Sequence, residues 1–89
     1  MGQYSIIVEK TAQKELQAHY KSGDKPLIKK IEKIFEELVV HPETGEGKPE
    51  PLKHQLSGMW SRRINREHRI VYEIIENSVF VHSAKGHYD

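Results

Sequence analysis

Leu27, Ile28, Ile31, Ile34, Phe35 and Leu38 recur at intervals of three and four residues, with Lys29, Lys30, Lys33, Glu36 and Glu37 between them. That period gathers apolar side chains into one stripe of an α-helix. Asp24 is an N-cap candidate for it, and Pro26 falls in the first turn, where its missing N–H costs nothing. His41-Pro42 marks the end, because proline disfavours helical geometry in the residue before it. The lysine-rich face reads as solvated surface. A helix with one apolar stripe must lie on something, and the rest of the chain has to supply it.

Residues 3–8 read as a strand, with Tyr4, Ile6 and Val8 alternating against Ser5 and Ile7. Thr11 offers an N-cap for a short helix over residues 12–20, with Leu16 and Tyr20 on one face and Ser22-Gly23 as its stop. A turn-rich loop, 42–51, precedes three short strands over 59–64, 68–75 and 79–85, with turns at 65–67 and 76–78. The order predicts an α+β fold: an N-terminal strand, two helices, then an antiparallel three-stranded meander, with the helices packed on one sheet face. At 89 residues, 1–89 is expected to be a single domain. So short a chain buries only roughly 60–65% of its unfolded surface, so a bound partner or a second copy would add to its stability.

The absence of cysteine excludes disulfides, thiolate zinc sites and thiol nucleophiles. No run approaches the ~18 apolar residues of a membrane helix, and residues 1–9 lack a signal-peptide pattern, so a soluble, cytoplasmic protein is expected, with no membrane contact. Formal net charge is only +1. Between Lys48 and Tyr72, however, six lysines and arginines face two glutamates, a net +4 that leaves −3 for the remainder. Such concentration is the footprint of a local anion site.

Within that stretch, a hairpin turning about Arg66 sets Arg63 opposite Arg69, Trp60 opposite Tyr72 and Arg62 opposite Ile70. The latter two pairs suit a face covered by helices. Like charges directly across a ladder repel, so the Arg63 and Arg69 side invites an anion, and paired guanidiniums suit phosphate. Glu50 stands between Pro49 and Pro51, a carboxylate on backbone stiffened from both sides, as a general base would need. His87, with an ordinary pKa near ~6.5, is a proton-donor candidate if the chain end returns to the arginine side. The six histidines include no HxxxH or HExxH spacing, so no metal and no other cofactor is expected. Base, acid and two cations are the parts needed to cleave RNA without metal.

Gly47-Lys48-Pro49-Glu50-Pro51-Leu52-Lys53-His54, then Leu56-Ser57-Gly58, Trp60-Ser61-Arg62-Arg63-Ile64, Glu67-His68-Arg69 and Val71-Tyr72 closely resemble the YoeB (Txe/YoeB) toxins of the RelE superfamily. The likeness includes Lys29-Lys30-Ile31 and the terminal His87-Tyr88; the first helix matches loosely. It implies a microbial-ribonuclease-like α+β fold and a toxin of a type II toxin-antitoxin pair that cuts mRNA in the A site of the 70S ribosome. Carried over, it implies Glu50 as general base, His87 as general acid and Arg69 as principal transition-state stabiliser, with Lys53, Arg63 and Tyr88 binding the RNA. Products would be a 2′,3′-cyclic phosphate and a 5′-OH. A YefM-like antitoxin that displaces the C-terminal tail, and a homodimer, are further implied. The tail departs from the family pattern at Ala84, Lys85, Gly86 and Asp89.

Two other readings compete. The same superfamily fold serves toxins that bind a protein target such as DNA gyrase, and these lack this acid-base set. A catalytically idle nucleic-acid-binding accessory would use the basic stretch only for backbone phosphates.

Overall fold

The computed structural model describes residues 3–43, 49–51 and 58–86. Strand β1, Ser5–Val8, is followed by helices α1, Lys10–Lys21, and α2, Lys25–Val40, and then by strands β2, Glu50–Pro51, β3, Met59–Arg63, β4, Arg69–Ile75, and β5, Ser78–Ser83. The class is the α+β arrangement expected, but the sheet has five strands, in the order β1-β5-β4-β3-β2. β1 joins the meander in parallel, beside β5. β2 arises inside the span expected to be loop and pairs antiparallel with β3. No helix among the described residues is long and apolar enough to cross a membrane.

α2 forms as its periodicity dictates. Asp24 Oδ1 accepts from the Leu27 backbone N–H at 3.1 Å, so the N-cap is the residue the sequence names. Leu27, Ile31, Ile34 and Leu38 are buried, each stabilising the packed state by ~1.5–3 kcal/mol. α1 differs from expectation. Its N-cap is Glu9, without a side-chain cap bond, and Thr11 lies inside the helix. Its inward residues are Ala12, Leu16 and His19, whereas Tyr20 is exposed. Spacings of four and three give the stripe, and a histidine completes it.

Both helices cover one sheet face. Ile64, Ile70, Tyr72, Val79, Val81 and Ala84 meet the helix residues there. Arg62 is also on this face and fully buried. It donates through Nε to Tyr72 Oη at 3.2 Å, through Nη1 to Glu37 Oε1 at 3.0 Å, and through Nη2 to the His41 carbonyl. Tyr72 Oη in turn donates to the Pro42 carbonyl at 2.6 Å. The C-terminal end of α2, whose last carbonyls have no intrahelical donors, is thereby fastened to β3 and β4.

Pairing of β3 with β4 follows the expected register: Trp60 opposite Tyr72, Arg62 opposite Ile70, Arg63 opposite Arg69. The turn before β4 is closed by Asn65 Oδ1, which accepts from the backbone N–H groups of Glu67 and His68, both at 2.8 Å. Between β4 and β5 the register shifts, Tyr72 facing Val81 but Val71 facing Ser83. His82 is the extra residue of a bulge, which re-aims the end of β5.

Candidate active site on the uncovered sheet face

Side chains directly opposite in a sheet share a face, with Cβ atoms ~4.5–5.5 Å apart. Glu50 is opposite Ser61, and Ser61 is opposite Val71. Two residues along, Arg63 is opposite Arg69. All five therefore lie on the face the helices leave open. Ser61 and Val71 are buried and form its floor; Glu50 and Arg63 are exposed, and Arg69 is half-buried. Arg69 donates through Nη1 to Ser61 Oγ at 3.3 Å. Ser61 thus stands between the carboxylate-bearing residue across one ladder and the guanidinium across the other.

Local sequence explains the placement. Pro51 has no N–H, so a two-residue strand at the sheet edge is the form of pairing open to it. Glu50 is exposed but mounted on paired backbone. The two arginines sit at the turn end of the β3–β4 hairpin, where Asn65 fixes the crossing. Mutual repulsion across the ladder favours an anion between them, and a carboxylate base beside two guanidiniums is an arrangement suited to proton transfer at a phosphodiester.

Of the residues named from sequence, Glu50, Arg63 and Arg69 share this face. Lys53, His87 and Tyr88 lie outside the described residues. The chain leading to His87 is described as far as Gly86, whose carbonyl accepts from the Arg69 backbone N–H at 3.0 Å. Ser83 Oγ, opposite Val71, is buried and has no hydrogen-bond partner among the described residues. Sequence reasoning did not single out Ser61, although the register that pairs the arginines also puts it on their face. Nor did it find Glu15, His19 or His68 around the tail, because their contacts span long sequence separations.

A second polar group occupies the far side of the same face. His82 Nε2 is 3.2 Å from Glu73 Oε1, and Nδ1 is 3.8 Å from Glu9 Oε1. No group of three or more His, Cys, Asp or Glu among the described residues is arranged to hold a metal ion.

The class so defined is a small α+β fold: a helix-backed mixed sheet with a carboxylate and a guanidinium pair on its bare side. Residues 10–88 match the family model for YoeB-like toxins of bacterial type II toxin-antitoxin systems, and the chain belongs to that family. The YoeB toxin of Escherichia coli O6:H1 is 46% identical over 70 residues, 79% of this chain and 83% of that one. The YoeB dimer from Staphylococcus aureus superposes with a TM-score of 0.82 at 36% identity, covering 97% of this chain and 99% of the other. The YoeB-YefM complex from the same organism gives 0.79 at 35% identity, covering 96% and 98%.

Proposed function

We propose that this toxin is a metal-independent endoribonuclease that cuts mRNA in the A site of the 70S ribosome and so stops translation. The observation that carries the reading is the shared face of Glu50, Ser61, Arg63 and Arg69, with the Gly86 carbonyl accepting from the Arg69 backbone N–H. Glu50 takes the proton of a ribose 2′-OH as that oxygen attacks the adjacent phosphorus. Arg69, with Arg63 beside it, stabilises the charge that builds on the phosphoryl oxygens. The bond to the 5′ oxygen breaks as His87 protonates it, leaving a 2′,3′-cyclic phosphate and a 5′-OH. Lys53 and Tyr88 hold the RNA.

The partners follow from the family. The Staphylococcus aureus relative is known both as a dimer and in complex with YefM, and by analogy this chain pairs with a YefM-like antitoxin and forms a homodimer. It acts in the cytoplasm, where its ribosomal target is.

The test is cleavage of mRNA on programmed ribosomes, with cut sites mapped by primer extension. Glu50→Gln and His87→Gln are each expected to lower the rate about a hundred- to ten-thousandfold, the usual worth of one proton-transfer group, with the fold retained. Undiminished cutting by both variants rejects the assignments. Intact mRNA with wild-type protein, together with poisoned DNA gyrase, assigns the toxin to the protein-binding class instead.

A further inference from the structure

We infer that Glu15, His19 and His68 are positioning residues for the reaction, a clamp that holds the segment Ala84–Gly86 leading into His87. The inference rests on the general-acid role proposed for His87.

Segments that have left the ladder ordinarily move freely unless something ties them down. Here the tie is made by side chains from two separate parts of the fold. The Ala84 backbone N–H donates to Glu15 Oε1 at 2.8 Å, and the Ala84 carbonyl accepts from His19 Nε2 at 2.7 Å. Glu15 and His19 are four residues apart on α1, one above the other on the same face. Two residues on, the Gly86 N–H donates to His68 Nδ1 at 3.0 Å, and its carbonyl accepts from the Arg69 N–H. The His19 and His68 rings meet edge to face, with centroids 4.7 Å apart. Helix, hairpin and tail thus close on one another through a continuous set of contacts.

Several features set this apart from ordinary strand termination. β5 ends at Ser83, so Ala84 has left the ladder. Ala84 is fully buried and His19 is 5% exposed, so the bonds to Ala84 are what offset the desolvation of the ring, and losing them would leave buried polar groups unpaired. Gly86 has a φ of +81°, a conformation open to glycine at little strain, and it turns the chain at the point where it bonds His68 and Arg69. The acceptor role of His68 Nδ1 places its ring proton on Nε2, and the donor role of His19 Nε2 places one there too.

A general acid contributes only when it lies within reach of the leaving oxygen. A loosened clamp therefore lowers kcat and leaves RNA binding unchanged, and the deficit should vanish when the leaving group needs no proton. The experiment compares programmed ribosomes carrying ordinary mRNA with ones whose scissile linkage has sulfur in place of the bridging 5′ oxygen, since a thiolate departs without protonation. For Glu15→Ala, His19→Phe and His68→Ala, kcat on the oxygen substrate is expected to fall by about tenfold or more, toward the hundredfold worth of the acid itself. KM should stay within about twofold, and cleavage of the sulfur substrate within about threefold of wild type. Sulfur cleavage also reports that each variant is folded. Glu15→Gln, His19→Gln and His68→Asn, which keep an acceptor or donor at the bonding atom, should recover most of the oxygen rate.

Equal losses on both substrates, or no loss on either, overturn the clamp. His87→Gln run alongside separates this result from the parent reading. If that variant is rescued by sulfur while the clamp variants are not, the clamp alone is wrong. If sulfur fails to rescue it, the general-acid role falls and the clamp's part in catalysis falls with it.

Discussion

Replacing Arg62 by Met removes the guanidinium that fastens α2 to the sheet and keeps most of the side chain's apolar stem. It would abolish the donations to Tyr72 Oη, Glu37 Oε1 and the His41 carbonyl. Arg62 is fully buried, while the Glu37 side chain keeps 22% of its exposure. Breaking a buried pair from one side costs ~3–5 kcal/mol, and the water still reaching Glu37 favours the lower end, about 3 kcal/mol. A folded chain of 89 residues has roughly 5–13 kcal/mol in all. The loss should lower Tm by about 12–24 °C. Urea unfolding followed by the fluorescence of the single tryptophan, Trp60 on β3, measures it. Arg62→Met/Glu37→Leu should regain most of the loss, because apolar replacement of a whole buried pair is often neutral. A single-variant cost under about 1 kcal/mol, with no coupling in the double-mutant cycle, would refute the anchoring argument.

Burial pushes the Tyr72 phenol above its ordinary value, while the hydrogen bond and charge of Arg62 pull it back and Glu43 adds a smaller upward push. The fold favours the neutral phenol, so that contribution is complete below the ordinary tyrosine pKa and drains away as pH rises through the higher folded one. Stability measured across about pH 9–12 should fall less steeply in Tyr72→Phe than in wild type, and equal slopes would contradict the linkage. Ser83→Ala removes a buried hydroxyl without a described partner and is expected to be neutral or to stabilise by about 1 kcal/mol in a thermal melt; a clear loss would show that the oxygen is satisfied. Asp24→Ala should cost about 1 kcal/mol in the same assay through loss of the α2 N-cap, whereas Asp24→Asn should cost little.

What could be read without coordinates was local. α2 and its Asp24 cap followed from spacing, and the β3–β4 register from a turn whose geometry Asn65 fixes, so the facing of Arg63 and Arg69 was legible. That same register put Arg62 toward the helices. Its anchors on Glu37, His41 and Tyr72 were not readable, because they depend on where the end of α2 comes to rest. β2 escaped notice because two residues have no period. The parallel pairing of β1 with β5 joins residues 73 apart, as in Ser5 with Ser78, and leaves no local trace. α1 was misjudged by one position: Tyr20 is the more apolar residue, yet His19 turns inward because the Ala84 carbonyl, 65 residues away, satisfies its ring. Glu50 was singled out for its flanking prolines, but its place opposite Ser61 required the unseen strand.

The strand order has a temporal consequence. β5, the last of the described strands in sequence, lies between β1 and the β3–β4 hairpin, so β1 waits for it before it can join the sheet. Long-range closure of this kind slows folding relative to helical bundles. Before β5 is in place, β1 lacks its parallel neighbour and the helices lack Val79 and Val81 beneath them.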